Sequence, residues 1–318
     1  MRLLPPISPA HSAIPILTPS PNTTDKVSFA KQSIEASELD KKACYPTLTG
    51  TNLPKAQTEA LAAELNALYQ EVMDSLGADD ARYIQRVYSA VVYSELIARG
   101  LLVAAGRMNS WQKGTATWLL ATSLLSFSKI LNNMELGHNV MHGQFDWMQH
   151  PHLNSKKFDW DIVCPAPLWQ HSHNYLHHTY TNIVGRDHDV GYHLIRVTDE
   201  QPWVPDDRNN MAKTIVLALG FEWAVAFHDI QISAEEYADS PEFDDIMQSK
   251  SQALFSKIAR QVGKDYIALP AVTGLFFGKR SALSTFSGNF VANITRNVWT
   301  WAVIFCGHFT EQAHIYTQ

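Results

Sequence analysis

Apolar residues in this chain gather into a few long stretches, separated by polar, charged and aromatic segments. In 54–77, Leu61, Leu65, Leu68 and Val72 recur at steps of three and four, which predicts an amphipathic helix opened by Pro54 and closed by Gly77. Few Lys or Arg flank its apolar face, so that face is expected to pack on the protein and not on a membrane surface. Two apolar stretches follow, 83–106 and 115–137, interrupted by Arg86, Glu95, Arg99 and Lys129. Each is near the ~20 residues that carry a helix across ~30 Å of hydrocarbon, and the link 107–114 makes them a helical hairpin. Further apolar stretches occupy 211–230, 265–278 and 282–307, with a charged and helical 231–264 between the first two. Residues 1–53 are rich in Pro, Ser and Thr without period, which predicts a disordered N-terminal tail. Pro5, Pro6, Pro9 and Pro15 break any signal-peptide core there.

Composition sharpens this outline. Charged residues make up 18% of the 318 and hydrophobic ones 46%, against about 25% charged in an ordinary soluble chain. The net charge of −6 carries no basic excess, which argues against nucleic acid as a partner. Cys44, Cys164 and Cys306 lie far apart, so neither a zinc ribbon nor a disulfide framework follows.

Histidine is the unusual component: ten of the fourteen fall between residues 138 and 193. Two patterns stand out, His138-Asn-Val-Met-His142 and His173-Asn-Tyr-Leu-His177-His178. On a helix, positions i and i+4 share a face about 5–6 Å apart, close enough for two imidazoles to hold one metal ion. His178 lies about 100° round from His177 and is free to serve a second ion. Imidazole suits Zn, Cu, Fe and Ni. The zinc-protease pattern HExxH is missing from the sequence, and five nitrogen ligands exceed one tetrahedral zinc. Two redox metals that handle O2 are the natural reading. Glu135 and Asp146 beside the first pattern, and Asp187 and Asp189 after the second, are candidates to orient ligating imidazoles through ring N–H to carboxylate bonds. His188 and His193 lie nearby as lesser ligand candidates, and His171 has a poor spacing to the pair. Trp147, Trp160 and Trp169 are expected to anchor at the headgroup level or line a substrate passage.

GHNVMHGQFDW, PHLNSKKFDWD, HSHNYLHHTYTNIVGRDHDVGYHLIRV, FEWAVAFHDI and VIFCGHFTEQA together resemble the membrane fatty acid desaturase family, bacterial acyl-chain and linoleoyl-CoA-desaturase-like branch, from about residue 80 onward. The resemblance implies an all-α integral membrane bundle with a cytoplasmic, histidine-rich helical cap. It implies two Fe ions on His138, His142, His173, His177, His178 and, at the end of the last membrane helix, His308, with no catalytic residue beyond these ligands. The irons would use O2 to remove two hydrogens from a fatty acyl chain carried on CoA, a carrier protein or phospholipid. Electrons would come from a separate ferredoxin or flavin reductase. The third histidine box of that family is missing before Gln318, so 54–318 is expected to be a C-terminally incomplete desaturase domain.

If the ligands share one side, an even number of crossings separates His138 from His308. With Lys250, Lys257, Arg260 and Lys264 held cytoplasmic, the expected spans form two hairpins, 83–106 with 115–137 and 260–278 with 284–307. Residues 211–230 would then lie in the interface, and the membrane would be a bacterial inner one. Two rivals share these features: a membrane hydroxylase or alkane monooxygenase, and a non-enzymatic histidine-lined metal-binding membrane protein.

Overall fold

This computed structural model describes residues 54–311 and 313–316, and they are mostly helical, with irregular stretches that include 149–165 and 181–190. The tail expected at 1–53 lies outside the described residues. Among them there is no strand, only an isolated bridge between Ile183 and Tyr316. The first helix, α1 (Lys55–Ser75), runs as its periodicity predicts, but none of its residues is buried. Leu61, Leu65, Leu68 and Val72 stay about half exposed, so the expected packing of this face on the protein is corrected: the apolar stripe is uncovered.

Four long helices form the body. α2 (Ala78–Arg107) turns through Met108–Ser110 into α3 (Trp111–Ile130), whose first turn is capped by Ser110 Oγ accepting from the Lys113 N–H. The helix continues through a π-helical stretch, Leu131–Gly137, into the short α4 (His138–Met141). The cap then winds through α5 (Ala166–Trp169), a second π-helical stretch Gln170–His177, and α6 (His178–Tyr180). Next come α7 (Asn210–Leu219) and α8 (Phe221–Glu236), bent by 100° at Gly220. α9 (Phe243–Val262) leads through a third π-stretch, Gly263–Ala268, into α10 (Leu269–Phe277). A one-residue turn at Gly278 (φ 92°), a backbone region that glycine enters without strain, reverses the chain into α11 (Lys279–His308). The second hairpin therefore exists, with a tighter turn than 279–283.

The packing of this body is dominated by small residues and hydroxyls. A Cβ at Gly106 would come within 2.5 Å of Ser281 Cα, so α2 and α11 touch backbone to backbone. Ser281 Oγ donates to the Val103 carbonyl (3.0 Å), Ser284 Oγ to that of Leu102 (2.7 Å), and Ser128 Oγ to that of Val91 (2.8 Å). Close backbone approach with hydroxyls bonded across helices is the usual contact of helices in lipid. Large apolar side chains such as Leu96, Ile97, Leu120, Leu275 and Leu283 face outward, while Lys129, Asp265 and Arg296 are buried. By length and hydropathy Ala78–Arg107 alone qualifies as a straight membrane span among the described residues; Pro205–Leu219 and Phe221–Glu236 qualify only jointly and are sharply bent. α10 alone is only nine residues long, and α3 and α11 are diluted by Ser, Thr, Asn and a few charges.

Candidate metal centre

Both histidine patterns sit where helix geometry changes. The α3 helix widens into π-form just before His138, and the second pattern lies within and just after a π-stretch. π-Segments bond i to i+5 and so alter which residues share a face. The consequence is visible at His173 and His178, whose Nε2 atoms lie 3.3 Å apart although the residues are five apart in sequence. His177 stacks on His173 with ring centroids 5.1 Å apart. His178 stands edge-on to both His173 and His142, at 4.8 Å from each, and so links the two patterns. In the first pattern, the Nε2 atoms of His138 and His142 are 3.0 Å apart.

The outer ring nitrogens are held from behind. His177 Nδ1 donates to Asp187 (3.0 Å) and His173 Nδ1 to Asp189 (3.2 Å). Asp187 is itself fixed by the backbone N–H groups of Asn182 (2.7 Å) and Asp189 (3.0 Å). His308, at the end of α11, donates from Nδ1 to the Ile304 carbonyl (2.7 Å), and its ring lies 5.2 Å from that of His177. Each of these bonds fixes a tautomer with its Nε2 lone pair free. Glu135 and Asp146 are placed otherwise. Glu135 accepts from the Tyr83 hydroxyl, and Asp146 accepts from Ser155 N–H (2.7 Å) and Oγ (2.5 Å). Among the described residues neither carboxylate bonds an imidazole. His171 pairs with Glu236 at 2.6 Å, away from the cluster.

Burial, reinforced by the neighbouring imidazoles, lowers the pKa of His138 to about 3, of His142 to about 4 and of His173 to about 2. The same causes lower His178. For His177, burial is outweighed by the Asp187 hydrogen bond and the Asp189 charge, and its pKa rises. Crowded rings that cannot share protons present lone pairs instead, the form in which imidazole binds a metal.

Whether a metal fits is decided by the donor atoms. Two nitrogens on one ion at about 2.1 Å, roughly at right angles, lie about 3 Å apart, which matches the His138–His142 separation. His138, His142 and His173 form one group of converging donors, while the grouping of His173 and His177 with Asp189 is the outer side of the same rings, where their Nδ1 atoms face the carboxylate. An imidazole set backed by carboxylates suits a transition metal such as Zn, Cu, Fe or Ni.

Side chains not singled out from sequence hold this arrangement together. Gln170 Nε2 donates to the carbonyls of Met141 and Ser155 (both 3.0 Å), and Asn174 Nδ2 donates to that of Met141 (2.9 Å). These amides tie the first histidine helix to the second. Their own i, i+4 spacing around His173 was the available signal. Trp169 stacks on His173 at 4.4 Å, and Trp160 and Trp169 line a narrow cleft beside His138 and His173. The far wall includes Phe221, Glu222 and Arg296.

A helical body with charges inside and large apolar side chains outside is thus topped by clustered imidazoles. Comparison with known proteins gives the family. The chain is 42% identical over 269 residues to the NADPH-dependent stearoyl-CoA 9-desaturase of Mycobacterium tuberculosis, covering 84% of this chain and 60% of the relative. It is 37% identical over 89 residues to an sn-1 linoleoyl-lipid 6-desaturase of Synechocystis, covering 27% of this chain and 23% of that one. A second sn-1 linoleoyl-lipid 6-desaturase, from Arthrospira platensis, is 26% identical over 201 residues, with 58% and 52% covered. No family model and no solved structure matches. The chain belongs to the fatty acid desaturase family, as the histidine boxes had implied. It spans about 60% of the length of the first relatives it matches.

Proposed function

We propose that this chain carries the metal centre of an O2-dependent fatty acyl desaturase. The observation that supports the reading is the convergence of Nε2 atoms from His138, His142, His173 and His178, with Nδ1 of His173 and His177 anchored on Asp189 and Asp187. His138, His142, His173, His177, His178 and His308 would hold two irons, with Asp187 and Asp189 fixing ring orientation. When bound, such a pair would supply the four-electron reduction of O2 to two waters, two electrons coming from the reductase and two from the acyl chain as it loses two hydrogens, chemistry that side chains alone cannot perform.

The protein's own contribution is position. The cleft beside His138 and His173 would seat the acyl chain, with Trp160 and Trp169 packing on its methylene groups. Which carbons are oxidised then depends on where the chain bends past His138, since adjacent methylenes are chemically alike. The relatives' names point to an acyl-CoA substrate and NADPH-derived electrons, delivered through a separate ferredoxin or flavin reductase. The inside-out body, with hydroxyls bonded across helices, supports four spans in two hairpins: α2 with α3, and 260–278, where the end of α9 continues into α10, with α11. α7 and α8 would lie in the interface, and the histidine cap would face the cytoplasm of a bacterial inner membrane.

The test is turnover of stearoyl-CoA by the iron-loaded full chain in lipid, with a reductase and NADPH supplied, read by gas chromatography of the released acyl chains. The expected product is a mono-unsaturated acid. A hydroxylated acid without alkene assigns the chain to hydroxylation instead. Metal uptake with no O2 consumption overturns the enzyme reading.

A further inference from the structure

A second donor cluster stands apart from the six histidines above. One nitrogen each of His188 and His193, and an oxygen of Glu235 near the end of α8, all lie within 4.8 Å of one another. His188 is half-buried and its Nδ1 is enclosed with no hydrogen-bond partner. That is a costly state for a polar atom, and a ligand would relieve it. The two imidazole rings lie 5.1 Å apart, tilted by 57°, and neither is bonded to the carboxylate. Among the described residues, Glu235 accepts a hydrogen bond only from the Gln231 side-chain amide at 2.8 Å. Donors too far apart to bond each other directly, yet near enough for one ion to reach all three, leave a gap of ionic size. An ion with bonds of about 2.0–2.2 Å to nitrogen and oxygen spans just over 4 Å between two donors, so a small side-chain adjustment closes the set.

From this geometry we propose that His188, His193 and Glu235 form a mononuclear site for a borderline divalent transition metal of the Zn²⁺ class. Two histidines and a glutamate with a fourth position open to water is a donor set that such ions adopt. Ca²⁺ and Mg²⁺, which require oxygen donors, do not match it. His193 and Glu235 are exposed, so the ion arrives from water without entering the bundle. His228 is not a ligand but a positioning group: its Nε2 donates to the His188 carbonyl at 3.0 Å and holds that loop against α8.

The location gives the site a role. His188 lies between Asp187 and Asp189, the two carboxylates that orient His177 and His173. An ion joining His188 to α8 would fasten this segment from its outer side. The inference does not depend on acyl chemistry.

The experiment titrates metal-free full chain in detergent with Co²⁺, counting bound ions by equilibrium dialysis and following ligand-field absorption. The His193→Ala and Glu235→Ala variants change exposed groups. His171→Ala, a nearby half-buried histidine already paired with Glu236, is the control for metal uptake by other accessible histidines. The expected result is that His193→Ala and Glu235→Ala each bind one Co²⁺ fewer than wild type, with unchanged helical circular dichroism, while His171→Ala binds the wild-type number. Wild-type stoichiometry in either test variant, or an equal loss in His171→Ala, overturns the proposal.

Discussion

Two buried polar clusters occupy this molecule, and they treat their donors in opposite ways. In the helical body, Lys129 Nζ lies 2.6 Å from Asp161 and 3.0 Å from Asp265, Asn293 Nδ2 donates to Asp265 (3.2 Å), and Arg296 meets Glu222 at 2.5 Å. Cation is matched to anion and amide to carboxylate. In the cap, the outer nitrogens of His173 and His177 are matched just as carefully, but the inner nitrogens point at one another, 3.0–3.3 Å apart. A cluster that pairs its charges internally holds structure together. One that anchors its rings from behind and leaves lone pairs facing inward is built to receive something.

Breaking the first cluster is expected to have the largest effect on stability. Lys129→Ala removes the buried cation between Asp161 and Asp265 and leaves them only the less buried Lys264 and Arg99. Removing one partner of a buried pair costs about 3–5 kcal/mol, enough to abolish a stable fold, as measured by thermal unfolding in detergent. Breaking the second cluster should separate function from fold. His142→Ala is expected to lose bound iron and turnover together, measured by metal analysis and product formation, with stability changed by about 1 kcal/mol or less. Asp187→Asn tests the anchoring alone. It preserves shape but weakens the acceptor behind His177, and metal affinity should fall by about 10–100-fold in a competition titration. Glu135→Gln is the smallest change. Glu135 serves Tyr83 and no imidazole, so iron content should match wild type, and a loss comparable to that of Asp187→Asn would return Glu135 to the centre.

The two clusters were not equally legible in the sequence. The first histidine pair could be read directly, because i, i+4 spacing on a helix determines the proximity of His138 and His142. The link through His178 could not, because it depends on a π-helical stretch that brings residues five apart together, and nothing in the HNYLHH string announces that register. Asp187 and Asp189 were visible as candidates on equal terms with Glu135 and Asp146. Only tertiary placement separated them: the first two fold back onto the rings, while the others close local contacts with Tyr83 and Ser155. The charges in the apolar stretches were read as interruptions. Their mutual pairing, Lys129 with Asp265 across 136 positions, is a long-range fact that no local pattern carries. The apolar face of α1 was the other limit, since periodicity predicts the helix but does not say what covers it.

The account rests on imidazoles of both patterns binding one metal centre. X-ray absorption at the iron edge of the iron-loaded full chain tests this most directly, compared with a chain carrying His138→Ala and His173→Ala together. The predicted spectrum has a nitrogen and oxygen first sphere with imidazole multiple scattering, absent from the double variant. Iron bound to wild type without imidazole scattering, or bound equally by the double variant, would contradict it.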